Sequence, residues 1–168
     1  MSSRHDPADD VDAIVAAWRH ELPHLDVEPL HVFSRVSRLA RLLDLDRTRA
    51  FDRHSLEGWE FDVLSALRRA GEPHELSPGR LVQETLVTSG TMTNRIDRLA
   101  TKGWVERLPS PSDRRGVIVR LTKDGRDTVD AAMADLLARE RELLDDMPAD
   151  EQAVLARALR RLLTPFEA

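Results

Sequence analysis

The chain has 168 residues, a formal net charge of −5, 41% hydrophobic and 33% charged residues, and no cysteine. That length suits one domain, or one domain with extensions. The missing cysteines exclude disulfides, thiolate metal sites and a cysteine redox switch, and no run approaches the ~18 consecutive apolar residues of a membrane span.

In chain order, the opening "MSSRHDPADD" has no apolar stretch behind its arginine. A secretory signal is not expected, and a cytoplasmic protein is the default. Asp6-Pro7 predicts the start of a first helix, a capping residue followed by proline at the first helical position. Its apolar stripe is Val11, Ile14, Val15, Trp18 and Leu22, and Pro23 ends it. A second helix is predicted from Glu28 to Arg53, with Leu30, Phe33, Val36, Leu39 and Leu43 on one face and Arg35, Arg38 and Arg41 elsewhere. A third, capped by Ser55, carries Leu56, Trp59, Val63, Leu64 and Leu67, and Gly71 closes it.

Two short helices follow. "SPGRLVQETL" opens on Ser77-Pro78, and "TSGTMTNRIDRLATKG" opens on Thr88 and ends at Gly103, with Met92, Ile96 and Leu99 facing inward. The turn between them is too short for a linker, which predicts a helix-turn-helix with the second helix as reader. The apolar period then changes from 3.6 to 2. Residues 104–108 and 116–121 become two strands around a Pro109–Arg115 turn, a wing. Thr122 caps a long helix bearing Val129, Met133, Leu136, Leu137, Leu143 and Leu144. Pro148 starts a last one bearing Val154, Leu155, Leu159 and Leu162.

The charge is unevenly divided. Residues 80–126 hold ten basic and five acidic side chains, a net of +5 that leaves −10 for the rest of the chain. An anion-binding module on an acidic frame fits that split. Thr88, Ser89, Gly90, Thr91, Thr93 and Asn94 keep the start of the reader helix slim enough for a major groove, and its N–H groups can hold a phosphate. Arg98, one turn on, can reach a base edge or a phosphate. Arg114 and Arg115 sit on a hairpin tip narrow enough for the minor groove, with Asp113 steering one of them. The fold class expected is mainly α with a small β-hairpin wing. It divides into residues 1–54 as N-terminal helices, 55–121 as a winged helix-turn-helix DNA-binding core, and 122–168 as C-terminal helices. The added helix covers about 7–22 and a dimerisation helix about 28–53. The helices at both ends carry more apolar surface than one small winged domain covers, which points to a homodimer. A twofold dimer implies a pseudo-palindromic DNA operator with half-sites about one turn (~10 bp) apart.

From residue 28 to 166 this order resembles the MarR family of bacterial transcriptional regulators. The most specific part is "GTMTNRIDRLATKGWVERLPSPSDRRGVIVRLTKDG", with its Asp-Arg-Arg wing and Leu-Thr-x-x-Gly exit. The resemblance implies an obligate dimer joined through its terminal helices, repressing a gene until a small ligand weakens DNA binding. The extra first helix is similar to that of a urate-responsive branch, which uses a Trp, an Asp and two Arg in a ligand pocket. The matching positions are Trp18, Asp62, Arg95 and Arg107. Related regulators with much the same set respond to tricarboxylates, so the set implies a small anionic effector, urate- or purine-like or tricarboxylate-like. In the mechanism this suggests, Asp62 pairs with Arg95 or Arg107 until the anion competes for the arginines.

Other constellations carry less. His20 and His24 have metal-ligand spacing, but Pro23 breaks the helix that would align them. His31 or His54 could make DNA binding pH-sensitive. No phosphate-cradling glycine loop, HExxH or G-x-S-x-G is present, and "SGTMTN" lacks a nearby base to activate its hydroxyls. Neither an enzyme nor a cofactor is expected. A winged-helix module that docks onto another protein is the alternative to a DNA-binding regulator.

Overall fold

A computed structural model describes residues 8–110 and 116–167. The chain forms two compact units, Met1–Arg49 and Ala50–Ala168.

In the first unit, α1 spans Asp10–Glu21. Its cap is Asp9 rather than the expected Asp6-Pro7. The Asp9 carboxylate accepts from the Val11 N–H at 2.8 Å, and the Asp12 carboxylate accepts from the Asp9 N–H at 3.0 Å. This reciprocal box satisfies orphan donors from both sides, so it outcompetes a cap made by one residue. Val11 and Val15 are buried with Val27, whereas Ile14 and Trp18 stay exposed, so only half of the predicted stripe is covered. The second helix, α2 (Leu30–Asp52), ties itself to the start of α1. Arg35 bonds Asp9 and Asp12 at 2.8 Å each, and Arg38 bonds Asp10 at 2.6 Å. Acidic groups at a helix N-terminus are favoured by its dipole, and the arginines bind them there. The α2 face carrying Phe33, Val36 and Leu39 is exposed.

The second unit begins with the end of α2, where Ala50 and Phe51 are buried. Helix α3 spans Gly58–Arg69 and is capped by Glu57. Ser55, expected as the cap, instead lies in a left-handed turn with φ 55°. The Glu57 N–H donates to the Glu60 carboxylate at 2.9 Å, which starts the helix two residues later than Ser55 would. Gly71, at φ 77°, ends it as predicted. Next come β1 (Glu75–Leu76), α4 (Pro78–Thr85), α5 (Ser89–Thr101), β2 (Val105–Pro109), β3 (Val117–Leu121), α6 (Lys123–Leu144) and α7 (Ala149–Leu163), closed by a 3-10 turn at Thr164–Phe166. The predicted hairpin forms as β2 and β3, and β1 joins its sheet as a third strand that the sequence did not predict. The order is β1-β3-β2, all antiparallel, with Glu75 opposite Arg120 and Arg107 opposite Val119.

Leu64, Leu67, Leu81, Met92, Ile96, Leu99 and Val119 interlock in one buried cluster that fixes α3, α4, α5 and β3 together. Thr122 caps α6, accepting from the Gly125 N–H at 3.1 Å. Its own hydroxyl donates to the Gly103 carbonyl at 2.8 Å. By contrast α7 contains no buried residue, and Val154, Leu155, Leu159, Leu162 and Leu163 all reach solvent.

Candidate nucleic-acid interface

The turn joining α4 to α5 passes through Leu86, left-handed at φ 53° and 92% exposed. Thr88 then caps α5 by accepting from the Thr91 N–H at 3.3 Å, and the two threonine hydroxyls lie 2.9 Å apart. Inward-facing Met92, Ile96 and Leu99 are fully buried. That anchoring leaves the opposite face, with Ser89, Gly90, Thr91, Thr93, Asn94 and Arg98, exposed. Thr93 donates its hydroxyl to the Ser89 carbonyl at 3.1 Å, which folds the side chain against the helix and keeps this face narrow. The result is a rigid rod with short polar side chains and an exposed N-terminus, the shape that enters a major groove.

Under this face sits Trp59, one of the apolar residues that the sequence placed on the third helix. The Arg98 guanidinium lies 4.7 Å from the centre of its ring and that of Arg95 5.3 Å. The indole N–H donates to Glu57 at 2.6 Å, and Arg98 donates to the other Glu57 oxygen at 2.5 Å. The Trp59 indole, followed by Arg98, holds the Glu57 carboxyl below its ordinary range against the opposing effect of partial burial, so it stays ionised. Trp59, Gly90, Thr91, Asn94, Arg95 and Arg98 line an open cleft of about 470 Å³.

The remaining predicted residues fall as follows. Arg107, on β2, forms an ion pair with Asp97 of α5 at 2.7 Å, tying the wing to the reader helix. Arg95 is half-buried on α5, and Asp62 is exposed on α3. Trp18 lies on α1 in the first unit and is 48% exposed. Arg114, Arg115 and Asp113 lie outside the described residues. The ladder that leads to them ends, beyond the Pro109–Val117 pair, with the Ser110 N–H donating to the Gly116 carbonyl at 2.9 Å. His54 meets Asp135 of α6 at 2.9 Å, and His31 lies 3.7 Å from Asp12. Among the described residues no group of three His, Asp or Glu side chains is placed to hold a metal, and no helix is long and apolar enough to cross a membrane.

Sequence reasoning missed a second support. Lys102, just past the end of α5, reaches the fully buried Glu60 at 2.6 Å and lies 4.4 Å from the centre of the Trp104 ring. A signal was available: Glu60 falls among Leu56, Val63, Leu64 and Leu67 on an apolar face, where a carboxylate needs a cation.

The chain is similar in sequence and fold to known proteins. A family model described as the MarR family matches residues 54–116. The HTH-type transcriptional regulator PecS of Dickeya dadantii is 36% identical over 153 residues, covering 91% of this chain and 92% of that protein. The multiple antibiotic resistance protein MarR of Salmonella typhimurium is 38% identical over 110 residues, covering 62% of this chain and 71% of that one. Among solved structures, a mutant MarR from E. coli complexed with operator DNA superposes with a TM-score of 0.61 at 29% identity, covering 87% of this chain and 97% of that chain. With a relative this similar along almost its whole length, and a winged helix-turn-helix matching a DNA-bound one, the chain belongs to the MarR family of transcriptional regulators.

Proposed function

We propose that the protein is a homodimeric, ligand-responsive repressor that holds a pseudo-palindromic DNA operator with one α5 helix from each subunit. The main support is the division of α5 into a buried apolar side and an exposed face of small hydroxyl and amide groups carrying Arg98. Dimerisation is supported by α7, an apolar-faced helix with no buried residue. Arg114 and Arg115 would add a minor-groove contact from each wing, oriented by Asp113.

The effector is a small anion acting on Arg95 and Arg107, with Asp62 as a further part of the site. Arg107 already bonds a carboxylate, Asp97 of the reader helix. An anion competing for Arg107 would free Asp97 and loosen the tie between wing and reader. Coupling of about 1–3 kcal/mol is usual for such switches, within reach of one exchanged ion pair and its neighbours. Titrating a protein–operator duplex with urate and with a tricarboxylate tests this. Wild type should release DNA, while Arg95→Ala and Arg107→Ala should need at least tenfold more anion. Equal release by wild type and both variants would place the switch elsewhere.

A further inference from the structure

We propose that Glu57 is an internal phosphate mimic that lowers the affinity of the protein for DNA, by occupying Arg98 until a DNA phosphate displaces it. The inference rests on Arg98 being a DNA contact. Three observations carry it. Arg98 sits on the outward face of α5, yet its guanidinium is already bonded to a carboxylate at 2.5 Å. That carboxylate is held in place by the Trp59 indole N–H at 2.6 Å, and the Trp59 ring lies against the Arg98 guanidinium. The pair is also accessible, with half of each side chain open to solvent, so an incoming phosphate can replace the carboxylate without unpacking anything.

The exchange has a distinctive ionic signature. When Arg98 neutralises a phosphate, the duplex releases a counterion. When Arg98 leaves Glu57, the uncovered carboxylate faces the duplex and repels it, which weakens both the contact and its salt dependence. Replacing Glu57 with its uncharged isostere removes that repulsion, so log K against log salt steepens by up to about 0.9, the share of one phosphate contact. Affinity rises by about two- to fivefold, the range set by an exposed ion pair. Trp59 serves as a positioning residue, since its ring and N–H hold both partners in register.

The test is a set of salt titrations on one duplex, taken from upstream of the gene, for wild type, Glu57→Gln, Arg98→Gln and the double variant, with melting temperatures alongside. Glu57→Gln should bind more tightly with a steeper slope. Arg98→Gln should bind more weakly, and adding Glu57→Gln to it should change affinity and slope by clearly less than Glu57→Gln does in the wild type. If Arg98→Gln binds as wild type does, Arg98 is not a DNA contact and the proposal falls with that assignment. If Arg98→Gln weakens binding but Glu57→Gln has no effect, or the same effect in both backgrounds, the mimic alone is overturned. Should Glu57→Gln lower the melting temperature, Glu57→Thr is the substitute, because threonine is a favoured helix cap.

Discussion

Lys102, one residue beyond the last turn of α5, places its ammonium 2.6 Å from the carboxylate of Glu60, which is wholly buried in the first turn of α3. The bond joins the end of the reader helix to the centre of the second unit. Removing one partner of a buried pair leaves a charge without compensation, about 3–5 kcal/mol when both are buried. Lys102 is partly open, so Lys102→Met should cost about 2–4 kcal/mol in urea denaturation. Adding Glu60→Leu should recover part of that loss. A double variant less stable than Lys102→Met alone would show that Glu60 has other essential partners.

A second expectation concerns Gly125, in the first turn of α6. A Cβ there would lie 2.1 Å from the Trp104 carbonyl oxygen, a backbone atom that cannot yield as a side-chain tip can. The Leu-Thr-x-x-Gly sequence therefore has a steric cause as well as a cap. Gly125→Ala should destabilise by about 1–3 kcal/mol through overpacking, despite alanine being the better helix former. A neutral or stabilising result would mean that α6 can shift away from the Trp104 backbone without loss.

Leu86 holds a left-handed backbone with its side chain almost entirely in water. A leucine there bears a steric cost of about 1–2 kcal/mol, partly offset by the larger unfolded-state entropy of glycine. Leu86→Gly is expected to stabilise the fold by about 0.5–1 kcal/mol, read as a higher denaturation midpoint. A fall in midpoint would reveal a contact made by this leucine that outweighs the strain.

The acid response of the first unit follows from Arg35. Its hydrogen bonds hold the Asp9 and Asp12 carboxyls below the ordinary aspartate value of 3.8. Because these groups bind protons more weakly folded than unfolded, their contribution is complete above that value and is lost as pH falls below it, through the depressed folded values. Hydrogen exchange in α1, corrected for intrinsic rate, should show protection falling in that acidic window. Arg35→Gln should lack protection already at neutral pH. Equal protection in both proteins at every pH would separate α1 from this ion-pair cluster.

Much of the second unit was legible because its signals are local. Ser77, Thr88 and Thr122 each cap the helix assigned to them, and Gly71 and Gly103 take the positive φ that their positions as helix stops require. The inward face of α5 was also plain from its period. What stayed hidden depended on partners far along the chain. Strand β1 is two residues long and shows no alternation; it exists because Glu75 and Leu76 pair with Arg120 and Val119. Ser55 is the better isolated cap, yet Glu57 wins because Glu60 is fixed by Lys102, 42 residues away. The partners of Arg98 lie on α3 and its cap, so the sequence pointed to the arginine but not to what restrains it. In the same way, the carboxylate that pairs with Arg107 is Asp97 of α5, on another element.

The central claim is that two copies of this chain grip one duplex through paired α5 helices. Sedimentation of the purified protein, alone and with a duplex from upstream of its own gene at low ionic strength, tests it most directly. A dimer in free solution, and a complex of two subunits per duplex that Asn94→Ala with Arg98→Ala abolishes, are the predicted results. A lone subunit, or a dimer that leaves the duplex unbound, would contradict the account.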